Sequence, residues 1–260
     1  MTFTQLIYAI EHRVARITLN RPEKRNALTP TLITELREAF RDAHERADVR
    51  VVLLQAAGEA FCAGLDLGEL GKLASMNTIE NLADTERLAA LFREIYTHKK
   101  FVISVVQGAA FAGGCGLACA ADVVVADKDT ATFCYSESKI GFIPAVVAVL
   151  ILRKTRHAGI REMLLRANAI SADDALRLGM INYSVPTSDL HQTAQRLAED
   201  ICTHTSAHSI ELTKRLLWSA ESLNLEDAVN FAVSLNALSR TTDDLKRGIA
   251  AFLNKEKIAW

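Results

Sequence analysis

The sequence predicts an α/β fold that turns helical in its second part, on three observations. Short runs rich in β-branched residues, such as Val51–Gln55, Phe101–Val106 and Val123–Ala126, alternate with stretches of helical period as far as Pro144. Beyond Pro144 every segment has helical period. No low-complexity linker interrupts the 260 residues, so the parts belong to one fold. The expected organisation is a core of stacked β-rich repeats with covering helices over 1–200, followed by a helical region over 201–260.

Taken in order, residues 6–19 hold two short strands, the second alternating like a half-buried strand. The charged loop "RPEKRN" breaks the pattern. Thr29 then caps a helix whose first turn holds Pro30, with Leu32, Ile33, Leu36, Phe40 and Ala43 as its apolar stripe. "VRVVLLQAAG" is a buried strand, and "EAFCAGLDLGEL" reads as a loop of small residues. A second amphipathic helix covers about 80–97. "FVISVVQG" is a strand feeding Gly113, Gly114 and a short helix, and "DVVVAD" and "ATFCYSE" are further strands. After Pro144 come helical segments, one of them starting at Ser171 and stopping at Gly179.

Composition excludes several classes. With 30 basic and 31 acidic residues the net charge is -1, which argues against a general nucleic-acid binder. Cys62, Cys115, Cys119, Cys134 and Cys202 are an odd set without CxxC spacing, read as buried thiols rather than disulfides or metal ligands. The N-terminus has no signal-peptide pattern, and the most apolar stretch is broken by Gln107, four glycines and Asp122. The expected location is cytoplasmic, with no membrane and no nucleic-acid partner.

The chemistry lies in two loops of small residues that each follow a buried strand. Gly113 and Gly114 open a helix, where free N–H groups and the absence of a Cβ let an oxyanion approach. For an isolated Gly-Gly, close helix–strand packing is the favoured reading. The Ala63-Gly64 turn is a second such loop, and two loops giving one N–H each would hold one thioester oxygen. The sequence has no GxxxxGK[ST], no GxGxxG in register and no GxSxG, and Cys115 lacks a recognisable histidine partner.

Four segments resemble the enoyl-CoA hydratase/isomerase (crotonase) superfamily: "LNRPEKRNALT", "FCAGLDL", "VVQGAAFAGGCGLACAADVVVAD" and "ATFCYSESKIGFIP". The resemblance runs from about residue 6 to the C-terminus. It implies an α/β, crotonase-like spiral of β-β-α repeats with a C-terminal helical trimerisation region, assembling as a homotrimer or a hexamer of two trimers. It implies oxyanion donors at the backbone of Ala63 and Gly113, and a catalytic acid/base at Glu137. Gly114, Leu67 and Asp66 fall in the same motifs; Asp66 reads as a helix cap and Asp122 as a strand anchor. Lys24 and Arg25 match the basic positions near the CoA phosphates, and Phe252 and Lys255 the positions that contact adenine from a neighbouring subunit. Tyr135 and Ser138 flank Glu137, where they would orient a water or a polar acyl group. Leu67, Leu70, Ile143 and Val147 suggest an apolar acyl pocket, or serve a core. No metal and no cofactor is expected, coenzyme A being part of the substrate.

One departure stands out. Where the best-known hydratases carry a second glutamate, this chain has Gly116, and Ala112 replaces a family glycine. Glu137 is the only matched carboxylate left. "SESKIGFIPAVVAVLILRK" resembles hydratases of branched or carboxylated enoyl-CoAs. The expected activity is therefore an enoyl-CoA hydratase, a lyase of fatty acid metabolism, of the methylglutaconyl-CoA type. An enoyl-CoA isomerase using one glutamate, and a non-catalytic acyl-CoA-binding scaffold, are the alternatives.

Overall fold

The computed structural model describes residues 2–260. Strands β1 (Leu6–Glu11) and β2 (Val14–Leu19) form a hairpin, and β2 is then joined in parallel by β3 (Val51–Ala56), β4 (Phe101–Val106), β6 (Val123–Asp127) and β9 (Tyr183–Val185). A smaller sheet holds β5 (Ala109–Phe111), β7 (Thr132–Cys134) and β8 (Ile170–Ser171). Parallel neighbours need crossovers, and each crossover here makes a short extended contact, or a strand of the small sheet, before its helix. After β2 the chain bridges Leu65 through Leu28 and enters α1 (Pro30–Glu45); after β3 it bridges Ala110 through Cys62, then Leu28 through Leu65, and enters α2 (Leu67–Leu73) and α3 (Thr78–Tyr96). After β4 it forms β5 and then α4 (Gly113–Cys119); after β6 it forms β7 and reaches α5 (Ala145–Lys154) and α6 (Ala158–Arg166). These turns are the β-β-α spiral that the sequence motifs imply.

Alternation along the strands buries both faces of the large sheet. Val52, Leu54, Val102, Val124 and Ala126 pack into the main core with α1, α3 and α4. Val51, Leu53, Ile103, Val105 and Val125 face the other way, onto Leu190, Ala194, Ala198 and Cys202 of α8 (Leu190–His204). The expected caps are in place: Thr29 Oγ1 accepts from Leu32 N–H at 3.0 Å, and Gly179 ends α7 (Ala172–Arg177) in the left-handed region at φ +73. Asp122 accepts from Val102 N–H at 2.7 Å and from Lys214 Nζ at 2.5 Å. The anchor thus ties the β4–β6 edge to α9 (Ala207–Ala220).

The stretch beyond Pro144 is not wholly helical. β8 and β9, two and three residues long, complete the two sheets, and segments so short carry no readable period. "DLGEL" is likewise helix rather than loop, because Asp66 caps α2 by accepting from Gly68 N–H at 2.9 Å. Residue 200 falls inside α8. Helices α9, α10 (Leu225–Ser239) and α11 (Asp243–Leu253) follow, and they leave Leu217, Leu225, Val233 and Phe252 exposed. All five cysteines are buried and unpaired. No helix among the described residues is long and apolar enough to cross a membrane.

Candidate active site

Parallel bridging sets the backbone of the first loop. Leu28 N–H donates to Gly64 O at 2.7 Å and Leu28 O accepts from Asp66 N–H at 2.9 Å, so the intervening residue, Leu65, turns its own N–H to the opposite edge. That N–H has no partner among the described residues. Ala63, the donor expected from the motif, is engaged instead: its N–H donates to Arg25 O at 3.0 Å. The free donor of this loop is therefore Leu65, two residues further on. The sequence signal that could have found it is the alternation of a bridged segment, in which alternate N–H groups face opposite edges.

The second loop brings its donor to the same place. Gly113 is the first residue of α4, so its N–H has no intrahelical acceptor. A Cβ added to Gly64 would lie 2.9 Å from Phe111 O and 3.6 Å from Gly113 N, which shows how closely the loops abut. At Gly114 a Cβ would meet Cys62 O at 2.1 Å, so only glycine permits this contact. Ala112 turns the chain into α4 at φ +48, ψ −123, a conformation that glycine adopts freely and alanine does not. Ala112→Gly is expected to stabilise the protein by about 1 kcal/mol, a rise of roughly 2–4 °C in Tm. Thermal unfolding of the two proteins checks this.

Glu137 reaches the same region from β7. Phe111 pairs with Cys134, and Ala112 N–H donates to Cys134 O at 2.7 Å, which lays the end of β7 beside the start of α4. A 3-10 turn over Glu137–Ile140, closed by Gly141 at φ +76, then holds the glutamate. Its side chain is buried, and Oε2 has no hydrogen-bond partner among the described residues. Burial pushes the Glu137 carboxyl above the usual carboxylate range, opposed only by its own backbone N–H. Its charge also acts on the Cys115 thiol of α4. A desolvated carboxyl of raised pKa beside two free N–H donors is suited to moving protons next to a developing oxyanion.

The other expected residues take different places. Lys24 and Arg25 are exposed on the turn whose Arg25 carbonyl braces Ala63, which puts both at the rim of the first loop. Buried Asn26 fixes that turn, donating to Ala57 O and Ala60 O at 2.8 and 2.9 Å; the sequence reading gave Asn26 no role. Asp66 pairs with Arg21 at 3.2 Å besides capping α2, and Leu67 is 83% exposed at the start of that helix. Tyr135 does not face solvent. Its ring is fully buried against Cys115 and Cys119 of α4, and its hydroxyl has no hydrogen-bond partner among the described residues. Ser138 Oγ donates to Leu164 O at 3.5 Å. Phe252 projects from α11, with Lys255 exposed just beyond it.

A separate groove between α1 and α3, of about 200 Å³, is lined by Phe40, Arg41, His44, Glu94, Thr97 and His98. Two of its polar side chains, His98 and Glu94, are already matched. His98 Nδ1 accepts from Lys100 N–H, its Nε2 faces Phe40 O, and burial lowers its pKa to about 3. Arg37 grips Glu94 through two nitrogens. His44 meets the His98 ring edge-on at 5.1 Å between centroids, and burial lowers the His44 pKa below the ordinary imidazole value.

The chain is similar to known proteins over nearly its whole length. The family model described as "Enoyl-CoA hydratase/isomerase" matches residues 9–260. A Thermus thermophilus protein named "Putative enoyl-CoA hydratase" is 38% identical over 242 residues, 93% of this chain and 95% of that one. The "1,2-epoxyphenylacetyl-CoA isomerase" of Escherichia coli is 31% identical, over 95% of this chain and 94% of its own. Among solved structures, an enoyl-CoA hydratase from Shewanella pealeana superposes with a TM-score of 0.93 at 30% identity, covering 99% of this chain and 96% of that one.

Proposed function

The chain belongs to the enoyl-CoA hydratase/isomerase family, and from that premise we propose that it is an enoyl-CoA hydratase that works with a single carboxylate. One observation carries the reading: the buried Glu137 carboxyl, its Oε2 unpartnered, follows the strand end that lies beside the start of α4, and two unpartnered N–H donors, Leu65 and Gly113, sit on the abutting loops there. The thioester oxygen of a 2-enoyl-CoA accepts from both donors, which draws electron density from C3. Glu137, ionised, takes a proton from water as the hydroxyl oxygen bonds to C3, and the C2=C3 electrons move onto the thioester as an enolate. The proton on Glu137 then passes to C2, so one water has been added and the carboxylate is restored.

Coenzyme A enters as part of the substrate, with Lys24 and Arg25 at the loop rim available to its phosphates. The exposed apolar side chains of Leu67, Ile140, Phe142 and Ile143 support an acyl pocket of hydrocarbon character. Resemblance of the Glu137 segment to hydratases of branched enoyl-CoAs supports a substrate of the methylglutaconyl-CoA type. The exposed apolar residues of α9 to α11 support assembly as a homotrimer or a pair of trimers, with Phe252 and Lys255 offered to a neighbouring subunit.

A second reading is favoured by Gly116, which leaves one proton carrier: the same carboxyl would carry a proton between C2 and C4 of a 3-enoyl-CoA. The test is the purified protein with crotonyl-CoA, 3-methylglutaconyl-CoA and a 3-enoyl-CoA, followed by the absorbance of the conjugated thioester. Loss of absorbance with either conjugated substrate is the expected result. Gain of absorbance from the 3-enoyl-CoA without any hydration would make the protein an isomerase. Silence in all three, with CoA thioester still bound, would make it an acyl-CoA-binding scaffold.

A further inference from the structure

Gly116 follows Gly113 by three positions on α4, so the two share a helix face. A side chain at 116 would lean toward the N-terminal end of α4, the end that carries the free N–H groups. There is no room for one. A Cβ built at Gly116 would stand 2.1 Å from Val147 Cγ1, 3.0 Å from Val147 Cβ and 3.4 Å from Phe92 Cζ. Val147 belongs to α5, which packs directly on α4, and both Val147 and Phe92 are buried. A valine in a helix has essentially one χ1 rotamer, and a buried phenyl ring has nowhere to swing. Hydrocarbon from the facing helix already fills the volume that a residue-116 side chain would need.

We propose that Val147 sets the reaction course of this site: it fills the place of a residue-116 side chain, keeps that wall apolar and closed to a second proton carrier, and leaves Glu137 to act alone. This rests on the reading of Glu137 as the acid/base of an enoyl-CoA reaction. Positions 116 and 147 are then a coupled pair. Gly116→Glu by itself must displace Val147, whereas with Val147→Gly the new carboxylate has space. With two carboxylates, one holds and deprotonates the water while the other supplies the C2 proton, which favours hydration over proton transfer within the acyl chain.

The experiment combines a thermal double-mutant cycle with turnover, on Gly116→Glu, Val147→Gly and the double variant. Gly116→Glu is expected to lower Tm by roughly 5 °C or more through overpacking, and the double variant to be more stable than the sum of the single shifts predicts. The double variant should also raise the ratio of crotonyl-CoA hydration to 3-enoyl-CoA isomerisation at least about tenfold. The acid side of its pH profile should gain a second ionisation, which a merely structural repair would not produce. If the glutamate proves too large to fold, Gly116→Ala with Val147→Gly gives the same stability cycle. Additive Tm shifts would overturn the proposal, as would a coupled pair whose product ratio and pH profile match wild type. A wild type inert on every thioester would overturn the enzymatic reading and this role for Val147 with it, while the Tm cycle would still report the packing.

Discussion

Replacing Glu137 with glutamine is expected to lower kcat for hydration by about 10²–10⁴-fold while affinity for a CoA thioester stays near wild type. The amide keeps the shape of the carboxylate but can neither take a proton from water nor return one to C2. The rest of the site, including both backbone donors, is left in place. The same substitution should make the protein more stable at neutral pH. Burial raises the folded-state pKa of Glu137, so its contribution to stability is fully present below the unfolded pKa and is lost as pH rises through the folded value. At pH 8 the wild type holds an ionised, desolvated carboxylate with an unpartnered Oε2, and the glutamine variant does not. Its Tm should therefore exceed that of wild type at pH 8, and the gap should close toward about pH 4. Steady-state kinetics, acyl-CoA binding and thermal unfolding at the two pH values check the prediction. Unchanged turnover would remove Glu137 from the reaction.

Gly114→Ala should be nearly as damaging, for a different reason. The added methyl would lie 2.1 Å from Cys62 O and 2.7 Å from Cys62 C, both main-chain atoms. Cys62 cannot retreat, because its N–H donates to Ala109 O at 3.0 Å and its carbonyl accepts from Phe111 N–H at 2.9 Å. The start of α4 must move instead, and Gly113 N–H moves with it, away from Leu65. Loss of one donor to a developing oxyanion typically costs about 10²–10³ in kcat. The expected result is at least a roughly 100-fold fall in kcat and weaker binding of acetoacetyl-CoA, whose enolate mimics the charge the hole is built for. Overpacking should also cost about 1–3 kcal/mol of stability. Gly71→Ala is the control, since nothing lies within 4 Å of a Cβ there. A folded Gly114→Ala protein with wild-type kcat would show that the two loops need not abut for turnover.

Much of this architecture is legible in the sequence because it follows from local rules. The runs at Val51, Phe101 and Val123 declare buried strands by composition, and the Thr29 and Ser171 helix starts declare themselves by capping chemistry. Tyr183–Val185 does not, because three residues have no period and owe their strand state to the β6 edge they complete. The site divides in the same way. Gly113 and Glu137 sit on motifs with fixed spacing, so both are found by reading along the chain. Leu65 replaces Ala63 as the free donor because the Leu28 bridge and the Arg25 carbonyl, both distant in sequence, decide which N–H groups are used. Tyr135 shows the same limit, since its place in the core depends on how β7 packs against α4. The partnership of Gly116 with Val147 is likewise invisible until α4 and α5 are seen in contact.

The pH dependence of kcat/KM for hydration of crotonyl-CoA tests the central claim, that one buried carboxylate does all the proton handling. Activity should fall on the acid side through a single ionisation lying above the ordinary glutamate value of about 4.3, because the ionised form is the base and burial raises its pKa. That limb should be absent from the residual activity of Glu137→Gln. Two carboxylate ionisations in the wild type, or an acid limb that survives unchanged in Glu137→Gln, would contradict the account and place the working acid on another residue.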